Sequence, residues 1–211
     1  MTRPAQPIRL YGFPLSGHAH RVALFLSLLD LPFETIDVDL PNAAHKQPDF
    51  LARNPFGQVP AIEDGDVTLA DSNAILVYLA TRYDPARHWL PGDAVPAARV
   101  QQWLSVAAGP LAHGPAAARL VKLFGAPLDH ARACAIAGQL YAVIEAQLAD
   151  RKFLLGGTPT IADVALYSYT AHAPEGGIAL DPYPNVRSWL ARIEALPRFV
   201  PMQRSAVPAA A

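Results

Sequence analysis

Residues 45–83 read HKQPDFLARNPFGQVPAIEDGDVTLADSNAILVYLATRY. Within them Val59-Pro60-Ala61-Ile62 and Val67-Thr68-Leu69 are short strand candidates. They flank Glu63-Asp64-Gly65-Asp66, a hairpin turn sequence. Asp71-Ser72 then opens a helix over Asn73 to Tyr83, because both residues cap helices well. Pro60 is the informative member. Inside a central strand it would remove a ladder hydrogen bond, so either the strand is an edge or the Val59-Pro60 bond is special. A cis bond would turn the Val59 amide and carbonyl outward, ready to pair with an extended peptide. Only about 5–6% of X-Pro bonds are cis, so the residues alone favour an ordinary trans edge proline.

Working outward, Ile8-Arg9-Leu10-Tyr11 is a strand candidate ended by Gly12 and Pro14. Ser16 precedes a run in which Val22, Leu24, Phe25, Leu28 and Leu29 fall at helical spacing. Pro32 stops that helix, and Phe33 to Val38 alternates like a second strand. A polar connection from Pro41 to Pro55 follows, with a short helix expected around Pro48 to Arg53. The order is β-α-β-α-β-β-α.

Downstream the pattern changes. Alanine occurs 12 times in residues 1–96 and 27 times in residues 97–211, a step that two differently built regions would explain. The Pro- and Gly-containing stretch 84–96 reads as a connection. From Ala97 onward only helical periodicity is found: Val100, Trp103, Leu104 and Ala107, then Ala131 to Leu148, a capping-box helix at Thr160-Ile161-Ala162-Asp163, and Asn185 to Leu196. Gly109-Pro110 and Gly114-Pro115 read as interruptions.

Seventeen basic and 18 acidic residues give a net charge of -1, which leaves no general field for nucleic acid or membrane headgroups. The longest apolar stretch, Val22 to Leu31, is broken by Ser27 and Asp30, too short to span a bilayer. The first residues, MTRPAQP, run into no signal-peptide core, so a cytoplasmic protein is expected. Cys134 is the one cysteine, which excludes an intrachain disulfide, a cysteine metal cluster and a CxxC mechanism. His18 and His20 point to different sides of a helix and have no evident third ligand, so no metal is expected.

The stretch His45-Lys46-x-Pro48-x-Phe50-Leu51-x-x-Asn54-Pro55-Phe56-Gly57-Gln58-Val59-Pro60-Ala61, followed by Asp71-Ser72-x-Ala74-Ile75, resembles the glutathione-binding half of cytosolic glutathione transferases. It is similar above all to phi-like and zeta-like members that use serine. Ser16-x-x-x-His20-Arg21-Val22 upstream and Thr160-x-x-Asp163 downstream extend the likeness. It implies an α/β thioredoxin-like N-terminal domain (1–84), a linker (85–96) and an all-α helical-bundle C-terminal domain (97–211). It also implies a cis bond at Pro60, glutathione as co-substrate and a homodimer.

Glutathione carries a carboxylate and an ammonium at its γ-glutamyl end, a thiol, and a glycyl carboxylate. Asp71 supplies an anion for the ammonium, and Ser72 offers a hydroxyl and helix-start N–H groups to the γ-glutamyl carboxylate. Simple helix capping is the alternative for both, and one helix start can do both. By resemblance the Val59 backbone pairs with the cysteinyl unit, the Gln58 amide reaches the ligand, and His45 and Lys46 hold the glycyl carboxylate. Counting back from Arg21-Val22 makes Ser16 the catalytic serine, donating a hydrogen bond to the thiolate beside the positive end of a helix dipole. An N-cap role alone is the alternative. Tyr11 belongs to the strand and packs.

The second-substrate candidates are Phe13, Leu15, His18, Leu104, Ala108, Leu111, His113 and Arg119, although core packing suits most of them and solvent suits Arg119. His18 departs from the commoner cysteine, serine or asparagine and could touch the thiol. Pro60, Thr160 and Asp163 are structural, and loss of the Asp163 cap is expected to cost about 0.5–2 kcal/mol. The leading expectation is a glutathione transferase acting on an unidentified electrophilic small molecule. Glutathione-dependent disulfide reduction or isomerisation, and a non-catalytic binding module, stay open.

Overall fold

Ile8–Gly12 forms β1, whose alternation buries Ile8 and Leu10 on one face and turns Arg9 to solvent on the other. In the computed structural model, which describes residues 3–205, β1 runs parallel to β2 (Phe33–Asp37), pairing Ile8 with Phe33 and Gly12 with Asp37. On its other side β1 meets β3 (Ala61–Asp64) antiparallel, with Leu10 opposite Ile62. β3 turns into β4 (Val67–Ala70), giving the sheet order β2-β1-β3-β4. The hairpin is tighter than its sequence implied. Glu63 and Asp64 remain in β3, and Gly65-Asp66 makes the turn with Gly65 at φ 58°, a conformation that disfavours a side chain. Val59 and Pro60 fall outside β3, so Pro60 removes no ladder bond.

Helix α1 (Gly17–Leu28) starts on Ser16, whose Oγ accepts the Ala19 N–H at 3.2 Å. It ends at Leu28, ahead of Pro32, with Asp30 at φ 55° and the Leu31 N–H bonded to Leu26 O at 3.0 Å. A short 3₁₀ turn (Ala44–Lys46) and α2 (Pro48–Leu51) occupy the connection, and α3 (Ser72–Tyr83) is capped by Asp71. Buried Val22, Leu24, Phe25 and Leu26 of α1 and Ile75, Leu76 and Leu79 of α3 form the core of this unit. Tyr11 packs on the other face of β1 with Val38, Phe50 and Ala61.

The chain divides into two units at Leu90/Pro91. The first takes back Leu196–Gln203, which sequence had grouped with the helical region. That segment lies on α1: Val200 O meets a His20 ring nitrogen at 2.9 Å, Arg198 O accepts the Ser27 hydroxyl at 2.6 Å, and the Arg198 side chain pairs with Asp30.

The second unit is helical among its described residues. α4 (Ala94–Val106) begins three residues inside the stretch read as a connection, because Pro96 sits in the first turn, where its missing N–H costs nothing. A π-helical stretch (Ala107–Ala116) and α5 (Ala117–Phe124) continue it without a break. The two Gly-Pro pairs, expected to interrupt the helix, lie inside the π stretch, whose wider turn accommodates proline rings that would collide with an α-helical carbonyl. Gly114 lets that stretch approach α6 (His130–Gln147): a Cβ there would stand 3.0 Å from the Ala137 nitrogen.

Asp163 lies in the first turn of α7 (Ile161–Ala171), and α8 (Pro184–Glu194) supplies Trp189. Asp163 Oδ2 accepts the Thr160 N–H at 2.8 Å; Oδ1 accepts Leu154 N–H and the Trp189 indole N–H, both at 2.9 Å. Burial pushes this carboxyl upward and the four hydrogen bonds from Leu154, Thr160 and Trp189 oppose it. Thr160 Oγ1 accepts the Ala162 N–H at 3.2 Å. The aspartate therefore joins three segments rather than capping one. Asp163→Ala would strand buried donors and should cost about 3 kcal/mol rather than the value of a cap alone, lowering the melting temperature by roughly 6–12 °C. Thermal unfolding followed by circular dichroism checks this; a loss under about 2 °C would contradict it.

Candidate functional site

The first unit carries a cleft of about 530 Å³ whose walls include His18, Gln58, Val59, Pro60, Asp71 and Ser72. The Val59-Pro60 bond is cis, as the family resemblance implied and against the general preference for trans. Asn54 holds this loop in place. Its Nδ2 donates to Gln58 O at 2.7 Å and its Oδ1 accepts the Phe56 N–H at 3.1 Å. Sequence reasoning assigned Asn54 no role, although Asn-Pro is a recognised turn signal.

Opposite this loop stands the start of α3. Asp71 Oδ1 accepts the N–H groups of Asn73 and Ala74, both at 2.9 Å, while the residue stays exposed. Ser72 is turned inward at 4% exposure. Its Oγ accepts from Arg21 Nη1 at 2.8 Å and lies 3.3 Å from His18 Nδ1. Arg21 has no exposed surface, and the same Nη1 donates to Asn73 Oδ1 at 2.8 Å. An arginine among the apolar residues of α1 was the signal that could have marked it, since a buried guanidinium needs fixed acceptors. Burial, then the charge of Arg21, hold the His18 imidazole down to about 3, so it is neutral at physiological pH. His20 turns instead to Val200, so the two histidines diverge. Among the described residues no group of three or more His, Cys, Asp or Glu could hold a metal.

Ser16, at the head of α1, is half-buried and lies outside the cleft's lining residues, as do Phe13 and Leu15 beside it. His45 and Lys46 lie outside it as well. Lys46 Nζ donates to Gly57 O at 2.9 Å, fastening the loop from behind. Burial and the Lys46 charge push the His45 imidazole below its usual range. In the second unit Leu104 and Leu111 are core residues, while Ala108 and His113 are exposed, with His113 Nδ1 2.9 Å from Gly109 O. Arg119, expected in solvent, is 2% exposed and pairs with Glu175 at 2.5 Å. Glu175 also meets His172 Nδ1 at 2.7 Å and the Ser205 N–H at 3.0 Å, a purely internal cluster.

Arg53, another cleft residue that sequence reasoning missed, is held by Glu63. Glu63 Oε1 accepts Arg53 Nε at 2.7 Å, and Oε2 accepts the Tyr11 hydroxyl at 2.8 Å and Arg9 Nη1 at 3.0 Å. The Arg53 guanidinium lies 4.5 Å from the Tyr11 ring centroid. Burial alone would raise the Glu63 pKa, but the bonds from Tyr11 and Arg53 and the two arginine charges outweigh it, leaving it lowered.

A four-stranded mixed sheet with a cis-proline loop, followed by a helical unit, defines a thioredoxin-like transferase architecture. The family pattern for the glutathione S-transferase N-terminal domain matches residues 6–81, and that for its C-terminal domain matches residues 133–197. Glutathione S-transferase 3 of Zea mays is 40% identical over 205 residues, covering 92% of this chain and 91% of its own. A glutathione S-transferase structure from Pseudomonas fluorescens superposes with a TM-score of 0.88 at 33% identity, covering 94% of this chain and all of that one. A glutathione transferase homologue from Drosophila mojavensis, solved with bound glutathione, gives a TM-score of 0.82 at 29% identity, covering 90% and 89% of the two chains. The chain belongs to the glutathione S-transferase family.

Because the folded pKa of Glu63 lies below its unfolded value, its cluster stabilises the fold above about pH 4.3, and that contribution is lost as pH falls through the folded pKa. Glu63→Gln should therefore cost about 1–2 kcal/mol at pH 7, with the deficit shrinking below about pH 4. Urea unfolding at several pH values measures it. Equal stability of the two proteins at pH 7 would contradict the assignment.

Proposed function

We propose that this protein binds glutathione along the cleft of its first unit and transfers the thiolate to an electrophilic small molecule. The observation that carries this reading is the pairing of the cis Val59-Pro60 loop with the start of α3 across one cleft. An extended tripeptide can run its backbone along Val59 and place its γ-glutamyl end at Asp71 and Ser72. Asp71 Oδ1 is occupied by the cap, and its second oxygen is available for the ammonium. Asp71 takes the Asn73 and Ala74 N–H groups, which leaves the Ser72 N–H and hydroxyl, with the dipole of α3, to attract the carboxylate. Gln58 adds an amide contact. The Lys46 ammonium donates to Gly57 O and, more weakly, to Phe56 O at 3.4 Å, and its third hydrogen serves the glycyl carboxylate, with His45 beside it.

Ser16 accepts the Ala19 N–H, so its own proton remains to be donated to sulfur at the positive end of α1. A free thiol has a pKa of roughly 8.5, and about 2.7 kcal/mol of preferential anion stabilisation lowers it by about two units. Cys134, half-buried in α6 with its thiol pushed up by burial, offers no protein thiolate at this cleft. The reacting sulfur is glutathione's own. The acceptor meets it beside Phe13 and Leu15. Glutathione is abundant in the cytoplasm, which is where we place the protein; none of the described helices is long and apolar enough to cross a membrane.

Ser16→Ala should lower kcat/KM toward a halonitroarene roughly 10- to 100-fold while changing the glutathione Kd by less than about threefold. Full activity in this variant would remove Ser16 from the mechanism, and wild type that binds no glutathione by calorimetry would overturn the reading entirely. We also propose a homodimer, as the family resemblance implies. Light scattering should give twice the 22.6 kDa of one chain, and a monomeric mass would refute it.

A further inference from the structure

The starts of two helices meet at one oxygen. Ser72, the first residue of α3, presents Oγ to Arg21 Nη1 at 2.8 Å and to His18 Nδ1, from the first turn of α1, at 3.3 Å. Arg21 can only donate, so Oγ accepts there, and its single proton remains to be placed. His18 is a cleft-wall residue and its ring is neutral, so either nitrogen can carry the ring proton.

We propose that His18 is a positioning residue for the γ-glutamyl carboxylate of glutathione, acting through the Ser72 hydroxyl. It rests on the reading above that this carboxylate docks at the start of α3. In the open cleft the Ser72 hydroxyl donates to Nδ1, and the ring carries its proton on Nε2. When the carboxylate arrives, the ring takes the Nδ1–H tautomer by proton exchange with water. Nδ1–H and Arg21 then both donate to Ser72 Oγ, and the hydroxyl proton turns to the carboxylate. Net charge does not change, and no second cation is placed beside Arg21. A neutral ring that accepts or donates at the same atom is what the two states require.

The nitrogen that matters is Nδ1, which yields a discriminating test. The amide of asparagine reaches the place of Nδ1, whereas that of glutamine reaches the place of Nε2. Full-length His18→Asn, His18→Gln and His18→Ala would be compared for glutathione Kd by calorimetry, and for KM, kcat and the pH profile of kcat with a halonitroarene acceptor. Alanine and glutamine should raise glutathione Kd and KM roughly three- to tenfold without moving kcat or its pH midpoint, and asparagine should stay within about twofold of wild type. If the alanine variant unfolds, the asparagine and glutamine variants decide. Rescue by glutamine but not asparagine, with kcat or the pH midpoint shifted, would overturn the proposal and assign the ring to the thiol or acceptor. Unchanged Kd in all three variants would also overturn it while leaving the glutathione site intact. Failure of the wild type to bind glutathione would remove the site itself.

Discussion

The first unit depends on a guanidinium with no exposed surface. Arg21 is carried into the interior by α1, where an uncompensated charge would cost several kcal/mol. Ser72 Oγ and Asn73 Oδ1, both from the first turn of α3, accept from its Nη1. The cation thereby ties the beginning of one helix to the other, and both beginnings carry residues of the proposed site. One starts at Ser16 and the other at Asp71 and Ser72. Moving either helix along the sheet would break those bonds in a medium that offers no replacement.

The same arrangement governs the second unit. Asp163 is a buried anion that gathers N–H groups from three segments, and Arg119 with Glu175 forms a buried pair completed by His172 and the Ser205 backbone. Buried charge acts here as a set of fixed joints within an alanine-rich helical scaffold. None of these residues is among those that line the first unit's cleft, so their substitution should be read out as stability.

Much of the first unit was legible because its signals are local. The turn at Gly65, the cap at Ser16 and the opening at Asp71 each follow from the side chain at that position, or its absence. The strand at Pro60 was drawn two residues early because apolar, β-branched Val59 looks like strand whether or not it pairs. The return of Leu196–Gln203 to the first unit left no trace, since two of its contacts use the backbone carbonyls of Val200 and Arg198, which every residue possesses. The π stretch was misread because two Gly-Pro pairs signal breaks in an α-helix, whereas a wider helix absorbs them. In the candidate site, Asp71 and Ser72 were legible as residue types that open a helix. Asn54 acts on the loop that directly follows it, whereas Arg53 and the positioning part of Arg21 act through partners 10 and 51–52 residues away.

The central claim is that the head of α1 stabilises a thiolate belonging to a bound peptide. Ultraviolet titration of glutathione bound to the wild-type enzyme tests it most directly, because thiolate absorbs where thiol does not. The account expects a midpoint about two units below the roughly 8.5 of an ordinary thiol. A midpoint equal to that of free glutathione, measured at saturation, would contradict it.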